Sequence, residues 1–415
     1  MLRINYGLVH TFTKLIFFTG IIVLFSCSED NFNFDHDQGT PEEQTDMHEY
    51  LVESSNLGSV SATTIKLTAQ LAGYPQFKSY FRYPIVLYKV VYHTHYMQEP
   101  ILASGIISIP VGMPDSIPSM VIGNGLIFAN EDAPSEFSLP DHFTGFEFVA
   151  SAGYVAMIPD MIGFGVSKEL LFPIHNYEYS AQTMIDFIHA CDELIRDIGI
   201  PVSSKRFMTG YSQGGYIAMS ALKMIEEENI QDIHISATAV GAGGYNLVSL
   251  LHYAVEQNSY SAPSHLIALF SSYNEIYGWN RPMTDFFQEP YAGRIPELLS
   301  GELDREQIDG QLAFSFDSLL NPAFLQDLKN NNEPELLQAL KENSVDNWAP
   351  QSPLLIIHSV NDDRIPVSDS RDAYEKMVEN GSERVELITI DTVGHINAGL
   401  SFIEMAINWF DSMLL

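Results

Sequence analysis

From residue 119 onward, short apolar runs rich in β-branched residues alternate with stretches of helical periodicity, and this alternation constrains the fold more than any other feature of the chain. SMVIGN, YVAMIPD, RFMTGY, ISATAVGAG, PLLIIHSV and VELITID read as strands. YSAQTMIDFIHACDELIRDIG is an amphipathic helix closed by Gly199 and Pro201, GGYIAMSALKMIEEE is a second, and FIEMAINWFDSMLL closes the chain. Parallel neighbours need a crossover connection, so strands separated by helices predict an α/β fold with a mostly parallel sheet. With 46% hydrophobic residues in a chain of 415, the core is not limited by size.

Ahead of this alternation, IVLYKVVYHTHYM and ILASGIISIP predict an antiparallel N-terminal hairpin turning at QEP. His93 and His95 share one face of its first strand, but no carboxylate or cysteine lies near in sequence, so exposed or packed histidines are expected rather than a metal pair. Between residues 247 and 350 the alternation lapses into an aromatic, proline-dotted segment that is helical where it has any period. Such an excursion is too long for a plain loop in a compact domain. The expectation is a helical cap or lid at 247–350 inserted into a core formed by 49–246 and 351–415. Tyr273, Tyr277, Trp279 and Phe286 are its candidate substrate contacts, supplying aromatic surface for an acyl or aryl group.

Chemistry concentrates at RFMTGYSQGGYIAM, where a strand, a glycine-flanked serine and a helix follow in that order. A serine hydroxyl is a weak nucleophile at neutral pH and needs a base within reach and a third group to orient that base. A sharp strand-to-helix turn holds the hydroxyl of Ser212 out at the strand end, and Gly210 and Gly214 keep the turn free of side chains. An acid and a histidine then follow at later strand ends: NDDRIP after PLLIIHSV, and TVGHI, with His395, after VELITID. Carboxyl ends of strands are where ligands bind in open α/β sheets. Serine, acid and histidine in this order point to nucleophilic acyl transfer.

These segments resemble the α/β-hydrolase family. HSVNDDRIP is similar to its H-G-x-x-D-x-x-V-P segment, and aligning the final proline with Pro366 assigns the acid to Asp362, leaving Asp363 at a variable position. IPDMIGFGVS resembles the stretch P-D-x-x-G-x-G-x-S, with Asp160 a support for its own loop. The likeness spans roughly 80–415 and is closest to the secretory-lipase-like and esterase branches, which carry a lid before the acid strand. It implies a Ser212–His395–Asp362 triad and an oxyanion hole from the backbone amides of Gln213 and Leu126. Where the family commonly has H-G, this chain has Asn124 and Gly125. The implied activity is hydrolysis of small acyl esters through an acyl-enzyme, with no metal or organic cofactor. His358 is expected to pack structurally, and His175 to lie at the substrate entrance or on a surface loop.

Residues 1–27 carry Arg3 and Lys14, an apolar run from Leu15 to Phe25, and then SCSED. That run is too short to span a bilayer as a helix but suits a secretory signal. LFSC resembles a bacterial lipobox, which implies acylation of Cys27 and export to the cell envelope, outer membrane or cell surface included. Residues 28–48 are acidic and poor in aliphatics, as expected for a disordered tether. Acids outnumber bases 53 to 20, which excludes a nucleic-acid partner. Two alternatives remain open at this point: a peptidase or aminopeptidase on a related sheet, and a non-catalytic surface-binding lipoprotein on a hydrolase scaffold.

Overall fold

The computed structural model describes residues 48–139 and 141–414. The expected signal segment, Cys27 and most of the acidic tether therefore lie outside the described residues. Among the described residues, no helix is long and apolar enough to cross a membrane.

Among the described residues, nine strands form one sheet: β1 (Leu51–Val60), β2 (Ile85–Tyr96), β3 (Glu99–Pro110), β4 (Ile117–Gly123), β5 (Val155–Pro159), β6 (Val202–Tyr211), β7 (Ala237–Gly241), β8 (Leu354–Asn361) and β9 (Val385–Val393). They stand in the order β1-β2-β3-β5-β4-β6-β7-β8-β9. Pairing is antiparallel from β1 to β5 and parallel from there on. This is the α/β-hydrolase architecture that the sequence implied.

The hairpin is in register from Ile85 opposite Pro110 to Tyr96 opposite Glu99. Its turn is Met97–Gln98, both at positive φ (50° and 67°), rather than QEP; Glu99 and Pro100 already belong to β3. A two-residue turn with this handedness matches the twist of its strands. β1 had no signature in the sequence. Eight of its ten residues are exposed, so it lacks the apolar alternation that marks a strand with a buried face.

Helices α1 (Ala62–Leu71), α2 (Tyr177–Asp197) and α3 (Gln213–Glu227) precede β7. Eight more, α4 (Leu247–Gln257), α5 (Pro263–Ile276), α6 (Met283–Phe286), α7 (Tyr291–Leu298), α8 (Arg305–Asp309), α9 (Phe316–Leu319), α10 (Pro322–Lys329) and α11 (Pro334–Glu342), stand between β7 and β8. α12 (Val367–Glu379) joins β8 to β9, and α13 (His395–Asp411) ends the fold. Apolar clusters cover both sheet faces. One packs Met184, Phe187 and Cys191 of α2 and Ile217 and Leu222 of α3 under the strands. The other sets Phe402, Ala406 and Phe410 of α13 against the opposite face, with the rings of Phe207 and Phe410 stacked 4.6 Å apart.

Three glycines let β4, β6 and α3 converge. A Cβ at Gly123 or Gly210 would run into the carbonyl oxygen of Gly214, and one at Gly214 into that of Gly123. All three contacts are with backbone, which cannot swing aside. Gly214→Ala is therefore expected to destabilise the fold by about 1–3 kcal/mol, the usual range for overpacking, read as a lowered Tm.

Polar contacts gather where the helical segment leaves the sheet domain. Asp369 of α12 accepts from the amides of Tyr245 (2.9 Å) and Asn246 (3.0 Å), and the Tyr216 hydroxyl donates to the carbonyls of Asn343 (2.7 Å) and His175 (3.1 Å). Burial pushes the Asp369 carboxyl up to about 6 despite those amides, and burial drives the His175 imidazole down to about 4. Asp369 thus adds stability that is complete below about pH 4 and fades as the pH rises through 6. His175 adds stability that is complete above about pH 6.5 and fades as the pH falls toward 4. The two slopes oppose each other. Between pH 6.5 and 4, Asp369→Asn should steepen the loss of stability on acidification and His175→Gln should flatten it, both followed by urea midpoints.

Candidate active site

Ser212 sits between β6 and α3 at φ 57° and ψ −130°, a conformation that L residues seldom adopt. Its own amide donates to the carbonyl of Gly241 (2.8 Å), and its carbonyl accepts from the amides of Gly215 (2.8 Å) and Tyr216 (3.2 Å). Bonds on both sides hold this geometry against its strain, and the hydroxyl is left to side-chain partners alone.

That hydroxyl lies 2.8 Å from His395 Nε2, and His395 Nδ1 lies 2.7 Å from Asp362 Oδ2. A carboxylate only accepts, so Nδ1 carries the proton and Nε2 presents its lone pair to the serine O–H. Burial by itself would raise the pKa of Asp362. Hydrogen bonds from His358 and His395 outweigh it and hold the carboxyl well below the usual carboxylate range. Oδ1 accepts from the amides of Arg364 and Ile365, each at 2.9 Å. Both oxygens are engaged, so the acid is fixed and ionised.

Three further residues hold the histidine and the acid, and the motifs alone did not single them out for this work. The Tyr211 hydroxyl donates to the His395 carbonyl at 2.8 Å, with the two rings 5.0 Å apart. Asp363 is exposed, as its variable position implied, yet Oδ1 accepts from the His395 amide at 2.8 Å and so anchors the start of α13. Buried His358 places Nε2 3.1 Å from the Ile365 carbonyl and 3.5 Å from Asp362 Oδ2, while Nδ1 meets the Ser370 hydroxyl at 2.7 Å. Since the Ile365 carbonyl only accepts, Nε2 bears the proton, and His358 stands beside Asp362 Oδ2, the oxygen that also meets His395.

The amides of Gln213 and Leu126 donate to no described group. Gln213 is the first residue of α3, where backbone N–H groups lack helical partners and the helix dipole favours negative charge. Both residues line the cavity that contains Ser212 and His395. Asn124 is buried beside them. Asp160 is buried, receiving the Ser104 hydroxyl (2.5 Å) and the Ser135 amide (2.8 Å), and Ser104 in turn accepts from the Val166 amide in the loop after β5 (3.0 Å).

The cavity measures about 90 Å³, several times the ~10–15 Å³ that one water requires, so it suits part of a ligand rather than a packing gap. Leucines form its largest residue class, among them Leu247, Leu250 and Leu251 from α4, and Leu266 and Leu269 from α5. His175 belongs to its lining, with its backbone at φ 48°. None of Tyr273, Tyr277, Trp279 or Phe286 lines it. Tyr273 and Phe286 are fully buried, Phe286 packing at 5.7 Å on Phe270, and Tyr277 stacks on Trp279 at 5.7 Å. Tyr273 and Phe286 build the interior of the helical segment itself, and Tyr277 and Trp279 pack against it partly exposed. His93 and His95 are exposed on β2, and among the described residues no cluster of three or more metal-binding side chains forms.

A family model described as secretory lipase matches residues 147–414, well over half of the chain. No curated protein matches. Among solved structures, the rice cell wall degrading esterase LipA from Xanthomonas oryzae is 26% identical, with a TM-score of 0.73 over 86% of this chain and 94% of its own. A Legionella pneumophila protein assigned as a hydrolase superposes with a TM-score of 0.80 at 24% identity, covering 88% of this chain and 98% of its own. Closed Candida antarctica lipase A gives 0.63 at 15% identity, covering 87% and 82%. The last two similarities speak for the fold alone.

Proposed function

The chain belongs to the secretory lipase family, ester-cleaving hydrolases of the α/β-hydrolase fold, and we propose that it cleaves carboxylic esters through Ser212, His395 and Asp362 by way of an acyl-enzyme. The observation that carries this reading is the unbroken relay from hydroxyl to imidazole to carboxylate, at 2.8 and 2.7 Å.

His395 Nε2 takes the proton as Ser212 Oγ attacks the substrate carbonyl, and Asp362 stabilises the imidazolium that forms. The free amides of Gln213 and Leu126 face the developing oxyanion, where a single donor can contribute ~3 kcal/mol of transition-state stabilisation. His395 then protonates the departing alcohol. A water, deprotonated by the same nitrogen, attacks the acyl carbon and releases the acid. The energy of the strained Ser212 backbone is held by its neighbours, so the nucleophile needs no rearrangement before attack.

The helical segment, read as a cap over 247–350 on a core of 49–246 and 351–415, supplies leucines from α4 and α5 as the acyl wall. The N-terminal sequence supports export, with Cys27 as the acylated anchor to the envelope. A panel of p-nitrophenyl esters from acetyl to palmitoyl, run beside aminoacyl amides, tests the reading. Esters should be hydrolysed far faster than amides. Faster cleavage of amides would instead make it a peptidase.

A further inference from the structure

A guanidinium group at the catalytic cavity, and a second one near it, lack the partners that arginine ordinarily finds. Arg364 lines the same cavity as Ser212 and His395. Arg305, the first residue of α8, is half-buried within electrostatic reach of Arg364, and burial followed by that like charge lowers its pKa. Among the described residues, neither side chain makes a hydrogen bond or has a carboxylate within 4 Å. In a chain with 53 acids and 20 bases, partners of opposite charge are abundant, so two adjacent unpaired arginines run against the composition.

Three of the nearby carboxylates hold backbone amides or the catalytic histidine instead. Asp362 holds His395 and the amides of Arg364 and Ile365. Asp363 Oδ1 takes the His395 amide, and Asp309 Oδ1 takes the amide of Ser264 at 2.8 Å. A further cavity-lining group lacks a partner: His265 Nε2 is buried with no hydrogen bond, while Nδ1 lies 3.5 Å from the Tyr260 hydroxyl. Burial, with the positive charges of Arg305 and Arg364 nearby, holds this imidazole neutral. The cavity therefore sets an unpaired guanidinium and an unpartnered imidazole nitrogen beside its leucines, in a chain where acids outnumber bases 53 to 20. Guanidinium groups bind carboxylates and phosphates through paired N–H donors, and an unpaired fork beside a cavity favours anionic ligands.

The geometry points to an ester that itself carries an anionic group, a carboxylate or similar oxyanion held by Arg364 and Arg305 while its carbonyl lies at Ser212. This inference deepens the esterase reading and rests on it. The test compares 4-nitrophenyl hexanoate, the mono-4-nitrophenyl ester of adipic acid and 4-carboxyphenyl hexanoate, which are neutral, anionic on the acyl side and anionic on the alcohol side. For at least one anionic ester, kcat/KM relative to the neutral ester should fall about tenfold or more in Arg305→Gln/Arg364→Gln, chiefly through KM, and should fall with added salt in the unmodified protein. The arm that responds tells which side bears the anion. Ratios unchanged by the double substitution in both arms overturn the inference while leaving the esterase reading intact. Calorimetric binding of monomethyl adipate against methyl hexanoate to Ser212→Ala decides it independently of turnover: tighter binding of the anion, lost with the two arginines, supports the site, and equal binding refutes it. If no ester is turned over at all, the esterase reading fails and this binding comparison still decides the anion site.

Discussion

Ser212→Ala is expected to lower kcat for ester hydrolysis on the order of 10⁶-fold while leaving the protein folded, because the residual rate comes only from binding and the oxyanion donors. The substitution removes one oxygen whose partner is His395 Nε2, and it leaves the amide bond to Gly241 and the bonds at the 212 carbonyl untouched. The alanine can only keep the strained φ of 57° if those backbone bonds dominate. Circular dichroism and thermal melting should therefore stay near those of the parent. A Tm that holds together with a lost rate separates chemistry from folding.

Asp362→Asn should cost about 10⁴-fold in kcat near neutral pH. An asparagine amide turned toward His395 would donate where the carboxylate accepts, so Nδ1 would give up its proton and Nε2 would carry it. The base then faces Ser212 with a hydrogen instead of a lone pair. The second brace makes this site more sensitive than a free carboxylate, since His358 Nε2 and the amides of Arg364 and Ile365 all donate toward the same group. Combined with Ser212→Ala, the second substitution should add little, as residues that act as one unit are far from additive.

Much of this arrangement was legible because catalysis imposes local rules that sequence displays. The elbow needs strand, glycine, serine, glycine and helix in order, and RFMTGYSQGGYIAM has them; the acid and histidine need strand ends, and PLLIIHSV and VELITID provide these. Aligning Pro366 singled out Asp362, the carboxylate 2.7 Å from His395 Nδ1, whereas Asp363 meets only the His395 amide. What stayed hidden depends on contacts between distant segments. Leu250 and Leu266 carry no sequence mark that separates them from other helix leucines; they become cavity walls only where α4 and α5 meet Ser212. Tyr273 and Phe286 read as ligand contacts because aromatic residues carry no mark of which side of a helix they bury. α13 begins at His395, earlier than the apolar period at Phe402 indicates, because its first turn is held from outside by the Asp363 carboxylate and the Tyr211 hydroxyl. β1 escaped for lack of a buried face.

The central claim is that an activated hydroxyl stands at residue 212. Incubation of the folded protein with a fluorophosphonate probe, followed by peptide mapping, tests it most directly. Stoichiometric labelling of Ser212, absent in Ser212→Ala and strongly slowed in His395→Ala, is the expected result; a folded protein that remains unlabelled, or is labelled elsewhere, would contradict it.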